Sequence, residues 1–327
     1  MDTIKYLKSQ VNTALALNKS LVGLEAVLIH IERAEYMLDI GNKDEDEHFY
    51  TDVIYRTNHA YEGILKEAYS VLKKDEDVSR TPNNIETYLL NNNILNERVS
   101  KLLENYRREW RNTSTHDYHL FFNSGEAFLA ILSVTSFIHI LLNQIIDRLF
   151  YLSEKERIAP LIDEIKSTFN EDYNNFDFMG KVGILLKSYE NNLHKNIKDV
   201  RSRATIEREF INGIVAHINY LDPTLNVELE PIIGPDKSLH PDIIISNKNG
   251  ERVLIEFKLL NREPNKVQYR NFENQLLSYL TYSNIRNGIL FIVCLDEQLI
   301  LDDVTKTFEF GGEEIIIHLI YGKFNLV

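Results

Sequence analysis

Apolar residues recur at intervals of three and four up to about residue 195, and beyond residue 200 they alternate or run in short β-branched blocks. The helical period is clearest in VIYRTNHAYEGILKEAYSVL (53–72), ILNERVSKLLENYRREW (94–110) and the stretch 127–146. Breaks rich in polar, Gly or Pro residues near 40–48, 75–84 and 112–125 separate these runs. The pattern predicts an all-α bundle over 1–150, with further helices over 151–199 that connect or brace the two halves. After 200, a helix, ATIEREFINGIVAHINYL, leads into the strand-like runs NVELEPII, PDIIIS and RVLIEFKLL. A second helix, around QYRNFENQLLSYLTY, precedes NGILFIVCL. This order predicts a small α/β domain with a mixed central sheet over 200–327. The chain as a whole is then α+β with two domains.

Composition changes this picture little. A length of 327 residues suits two domains, and 44% hydrophobic residues suit ordered cores. The single cysteine, Cys294, excludes an internal disulfide and fits a reducing compartment. It lies in an apolar run, where a buried small hydrophobe is expected. The opening MDTIKYLKSQ lacks the basic-then-apolar pattern of a signal peptide. The uncharged stretch 127–146 has the length of a membrane span. Ser133, Thr135, Ser136, His139, Asn143 and Gln144 interrupt it, which suits the central helix of a soluble bundle. A cytoplasmic protein with no membrane partner is expected.

Charge bears on the choice of partner. The net charge of −13 opposes a polyanionic ligand, since phosphate binding runs on local positive potential. Between Lys195 and Gln275, however, twelve Lys/Arg balance twelve Asp/Glu. A metal bound by three of those acids would leave that stretch locally basic.

The chemistry-bearing residues fall in the same stretch. Asp242 opens one strand, and Glu256 and Lys258, two apart on the next, share a face while Phe257 enters the opposite layer. A hairpin through NKNGER would bring Asp242 beside Glu256. Two adjacent carboxylates need a cation, and their oxygens suit Mg²⁺. On the helix from Thr205, Glu207 falls in the middle of the apolar face of Ile206, Phe210, Ile211, Ile214, Ile218 and Leu221, whereas Glu209 points away. Glu207 is therefore the expected third acid. Gln275 and Tyr279, four apart, share one face of the later helix.

Glu207, Pro241-Asp242, Glu256-Phe257-Lys258 and Gln275-x-x-x-Tyr279 together resemble the PD-(D/E)XK nuclease superfamily, in its branch with an added Gln-x-x-x-Tyr helix motif. The likeness covers 200–327. It implies a restriction-endonuclease-like fold and a metal site of Asp242, Glu256 and Glu207 holding Mg²⁺ or Mn²⁺. It also implies that Lys258 assists the attack and that Gln275 and Tyr279 help position DNA.

A second constellation lies in YRREWRNTSTHDYHL. Arg111, Asn112 and His116 end an amphipathic helix, ahead of a long apolar one. A histidine that moves a proton and a guanidinium that binds phosphate make a metal-free ribonuclease pair. Arg-Asn-x-x-x-His in this setting resembles the HEPN helical-bundle domains over roughly 1–150. That resemblance implies a homodimer, an RNA substrate at Arg111 and His116 with Asn112 beside them, and a place in prokaryotic defence against phage or plasmids. The expectation for the whole chain is a metal-dependent nuclease, DNA being the favoured substrate of the C-terminal site. The alternatives are a HEPN ribonuclease toxin whose C-terminal domain senses nucleic acid, and an inactive binding or scaffold protein.

Overall fold

The computed structural model describes residues 3–73, 81–112, 122–169, 173, 175–191, 203–234, 238–294 and 303–323. The chain divides into two compact units, Met1–Leu149 and Phe150–Val327. It is mixed α+β, with an N-terminal helical region and a C-terminal mixed sheet.

The first unit contains α1 (Thr3–Leu17), α2 (Gly23–Asp44), α3 (Glu47–Leu72), α4 (Pro82–Asn91), α5 (Glu97–Tyr106) and most of α6 (Ser124–Ile158). The Asp46 side chain caps α3 by accepting from His48 N–H at 3.0 Å, and Asn96 caps α5 by accepting from Val99 N–H at 2.9 Å. Aromatic rings of α3, α5 and α6 meet in the core, where Tyr61 lies 4.8 Å from Tyr106 and 5.2 Å from Phe137 between centroids.

The polar residues within the apolar stretch of α6 are used inside this unit. Gln10 of α1 donates to Asn143 Oδ1 at 2.7 Å and lies 2.8 Å from His139 Nδ1, and Gln144 donates to the Ile94 carbonyl at 2.6 Å. Thr135 bonds the Ile131 carbonyl. Among the described residues α6 alone is long and apolar enough to cross a membrane, and more than half of its apolar window is buried.

The second unit adds α7 (Ile162–Thr168), α8 (Phe178–Asn191), α9 (Arg203–Leu221), β1 (Asn226–Leu229), β2 (Ile243–Ser246), β3 (Arg252–Leu260), α10 (Lys266–Ser283), β4 (Asn287–Cys294), β5 (Val304–Phe310) and β6 (Glu313–Lys323). The sheet order is β1-β2-β3-β4-β6-β5. β1, β2 and β3 run antiparallel, β4 joins β3 in parallel, β6 joins β4 in parallel, and β5 closes the edge antiparallel to β6. Strand periodicity divides the side chains between two layers. Ile243, Ile245, Val253, Ile255, Phe257 and Leu259 pack with α8 and α9, and Ile244, Leu254, Leu290 and Ile292 pack with Leu276 and Leu280 of α10.

Two features depart from the sequence expectation. Ile158, Ile165, Phe178, Val182, Leu186 and Tyr189, in the segment expected as a connector, belong to the core beneath the sheet. The β5–β6 hairpin was not expected at all. Its signal is the Gly311-Gly312 turn, both glycines at positive φ, between two alternating runs. Cys294 is buried and free, as expected for a small hydrophobe at the end of β4.

Gly213 of α9 lies against Tyr189 of α8. A Cβ there would lie 2.4 Å from Oη of the fully buried Tyr189. Gly213→Ala is expected to destabilise by about 1–3 kcal/mol through overpacking, read as a lower Tm. Tyr189→Phe removes the obstructing oxygen, which has no hydrogen-bond partner, and should restore most of that loss. Equal melting of Gly213→Ala and wild type would show that the contact relaxes.

Candidate active site

The site is built where β2 enters the sheet next to β3. Register fixes the first contact. Ile243 pairs with Ile255, so one step back sets Asp242 opposite Glu256. Even-numbered residues of β3 face α10, so Glu256 and Lys258 project into the α10 layer while Phe257 packs against Phe210 of α9, 5.4 Å away. The expected sharing of a face by Glu256 and Lys258 is what the strand delivers.

Hydrogen bonds lock the three groups. Asp242 Oδ2 accepts from the Phe257 N–H at 2.7 Å. Lys258 Nζ donates to Glu256 Oε1 at 2.5 Å and lies 5.6 Å from the centroid of the Phe272 ring on α10. Glu256 is 2% exposed, and its Oε2 is buried without a hydrogen-bond partner. A buried carboxylate oxygen left bare is costly unless something positive meets it.

Electrostatics say the same. Burial raises the Asp242 pKa above its ordinary value, the Glu256 carboxylate raises it further, and the Phe257 N–H and Lys258 pull against them. Burial also raises Glu256, with Lys258 opposing. Two carboxylates are thus held near each other at some expense, with the Lys258 ammonium bonded to one of them.

A further acid, absent from the sequence expectation, stands at the rim. Glu230 follows β1, its N–H donates to the Asp242 carbonyl at 2.8 Å, and its charge also raises Asp242. Its backbone is left-handed, φ 44°, a conformation that side-chain-bearing residues rarely adopt. Nothing in the sequence marks this turn, since no Gly or Asn announces the positive φ.

Glu207 sits differently from the expectation. Its helix, α9, packs on the sheet face opposite the one that carries Asp242, Glu256 and Lys258. Among the described residues no three of His, Cys, Asp and Glu gather as a set able to hold a metal, so Glu207 does not complete a triad with Asp242 and Glu256. An apolar stripe locates a helix face but not the layer that face meets, and that ambiguity produced the expectation.

Gln275 and Tyr279 are joined as the spacing suggests. Gln275 Nε2 donates to Tyr279 Oη at 2.9 Å, and both half-buried side chains lie on α10, over the same layer as Lys258. The capping box of Asn265 with Gln268 starts this helix and sets its phase.

In the first unit, Arg111 ends a π-helical turn, Arg107–Arg111, that follows α5. Its Nη1 donates to Glu86 Oε1 at 3.0 Å and its Nη2 lies 3.4 Å from Glu62 Oε1, while Arg107 reaches the other oxygen of Glu86 at 3.6 Å. Glu86 is fully buried, and burial raises its pKa against the pull of Arg111. Asn112 is exposed. His116, the expected partner of Arg111, lies outside the described residues. The charge of Arg111 is therefore already answered by two carboxylates.

No family model, no curated protein and no solved structure matches the chain.

Proposed function

We propose that the second unit is a metal-dependent nuclease of the PD-(D/E)XK kind, hydrolysing phosphodiester bonds, with DNA the favoured substrate. The observation that supports this most is the buried, unpartnered Oε2 of Glu256 beside a second carboxylate whose pKa burial has raised. At the effective dielectric of about 20 that suits such sites, two charges 4 Å apart interact by about 4 kcal/mol. A divalent cation turns that repulsion into binding, so the donor set fits Mg²⁺ or Mn²⁺. Asp242 and Glu256 would hold the ion, with main-chain or water oxygens completing the shell. When bound, the ion supplies Lewis-acid polarisation of the phosphate and eases ionisation of water.

The chain's own groups do the rest. Lys258 orients the water and donates to the oxygens of the pentavalent phosphorus as negative charge builds there. Glu256 keeps that ammonium pointed into the site by accepting from it. Phe272 beneath the ammonium limits access of bulk water on that side. Tyr279, which accepts from Gln275, keeps its own proton to donate to a backbone phosphate, and this fixes the strand beside Lys258. The first unit we read as HEPN-like on the strength of Arg111-Asn112 and the apolar α6. Its ion-paired arginine makes it the second choice for the seat of catalysis.

The test is cleavage of plasmid, single-stranded DNA and RNA in Mg²⁺ or Mn²⁺ and in EDTA. DNA cut only with metal is the expected result. RNA cut in EDTA, and lost in His116→Ala, would move the activity to the first unit. No cleavage of any substrate would leave a binding or scaffold protein.

A stability measurement checks the ion independently of turnover. Because the folded pKa values of Asp242 and Glu256 are raised, their contribution to stability is full below the unfolded values. It is lost as pH climbs through the folded ones. Asp242→Asn keeps an oxygen for the Phe257 N–H and removes the repulsion, so the metal-free variant should melt above wild type at pH 7.5. Mn²⁺ at about 100 times its Kd should stabilise wild type by about 2.7 kcal/mol and leave Asp242→Asn unmoved. An equal Mn²⁺ shift in both proteins would place the ion elsewhere.

A further inference from the structure

The helical hairpin of α2 and α3 carries a cluster that the nuclease reading does not use. His30 of α2 and His59 of α3 stack, with ring centroids 5.1 Å apart and planes inclined by 19°. Arg56, one turn before His59, donates from Nη1 to His30 Nδ1 at 3.5 Å, so the His30 ring accepts there. His30 and Arg56 are half-buried and His59 is exposed, so the cluster opens to solvent. One turn along α2, exposed Arg33 lies over the Tyr36 ring.

A guanidinium and two imidazoles meet here. Among the described residues no carboxylate forms an ion pair with His30, Arg56 or His59, and no acid acts on the His30 ring, whose pKa is lowered by burial, by His59 and by Arg56. The chain holds 49 Asp and Glu against 36 Lys and Arg, so an acidic partner would be easy to supply. Elsewhere in this unit Arg111 takes two carboxylates and Lys8 takes Glu32. Arg56 thus has an imidazole rather than a carboxylate for its partner, and the rest of its fork is left able to take an anion. The donors also suit one chemistry. A guanidinium presents a planar fork, and each stacked imidazole has one ring N–H to add, the kind of set that recognises the oxygens of a tetrahedral phosphate.

We propose that His30, Arg56 and His59 form a phosphate-binding site on the first unit, separate from Asp242, Glu256 and Lys258. The ligand class is a phosphate oxyanion, supplied by a nucleic-acid backbone or by free phosphate. The Arg56 guanidinium grips two of its oxygens and the imidazoles donate to the others. The site does not depend on the second unit being a nuclease.

The experiment is a titration of the full-length protein, first with inorganic phosphate and then with a short single-stranded oligonucleotide. Side-chain ¹⁵N resonances of the histidines are followed by NMR, and affinity by calorimetry. The expected result is that the His30 and His59 signals move with both ligands while His318 stays put. Arg56→Gln, and the double variant His30→Gln with His59→Gln, should weaken phosphate binding at least tenfold. An oligonucleotide binding tenfold or more tightly than phosphate identifies the backbone as the source, and equal affinities identify free phosphate. Resonances of His30 and His59 unmoved by either ligand in wild type would overturn the proposal, whatever the variants do. So would a variant affinity equal to wild type.

Discussion

Lys258→Ala is expected to lower metal-dependent cleavage by roughly 10²–10³-fold, the usual cost of losing one preorganised donor to a developing oxyanion. The ammonium is held within 2.5 Å of Glu256 and beside the Phe272 ring, so its position is set before substrate arrives. Asp242→Asn should fall at least as far, because it removes one of the two charges proposed to hold the ion. The asparagine still accepts from the Phe257 N–H, so β2 and β3 stay paired and a loss of folding does not mimic a loss of chemistry. Alanine at the same position would strip that N–H of its partner and confuse the two. Glu230→Gln should cost less, about 10-fold, since Glu230 is exposed and stands at the rim. The measurement is single-turnover cleavage at saturating Mg²⁺, with circular dichroism to show the fold. Wild-type rates in both Asp242→Asn and Lys258→Ala would remove the site from consideration.

How much of this site the sequence discloses depends on the range over which each residue acts. Glu256 and Lys258 were legible because a two-residue period is a local property of any strand, and Asp242 because a short turn fixes the register of a hairpin. Gln275 and Tyr279 were legible for the same reason on a helix. Glu207 failed because its relevance rests on which face of the sheet receives α9, a matter of tertiary packing that an apolar stripe cannot specify. Glu230 was invisible because its carboxylate is brought to Asp242 by a left-handed turn that carries no Gly. The β5–β6 hairpin carries a strong local signal in its double glycine, but its place in the sheet is not a local property. Its β6 partner, β4, lies across a parallel crossover, and such long-range pairing leaves no mark on the neighbouring sequence.

Acid should destabilise the second unit through His217, and the effect should begin well above the range where carboxylates titrate. His217 is fully buried on α9 with its ring 5.3 Å from that of Tyr189. Ser188 Oγ donates to the Leu185 carbonyl at 2.8 Å, so the 2.9 Å contact to His217 Nε2 is a bond that the imidazole donates. That assignment leaves the buried, unpartnered Nδ1 as the atom a second proton must occupy. Burial, with the Arg157 charge nearby, pushes the His217 pKa down to about 3 from 6.5. The unfolded chain therefore takes up the proton first. The stabilisation is complete above pH 6.5 and is lost as pH falls toward 3, at up to about 1.4 kcal/mol per pH unit. Asp242, Glu256 and Glu86, whose folded pKa values are raised, act with the opposite sign. They are common to wild type and variant, and so they cancel in a difference. His217→Leu keeps the Ser188 bond to Leu185 and removes the titrating ring. In denaturant titrations at pH 7, 6, 5 and 4 the unfolding free energy of wild type should fall relative to that of the variant as acid is added. Parallel pH profiles would mean that His217 takes its proton in the folded state and that the buried imidazole is not the source of acid sensitivity.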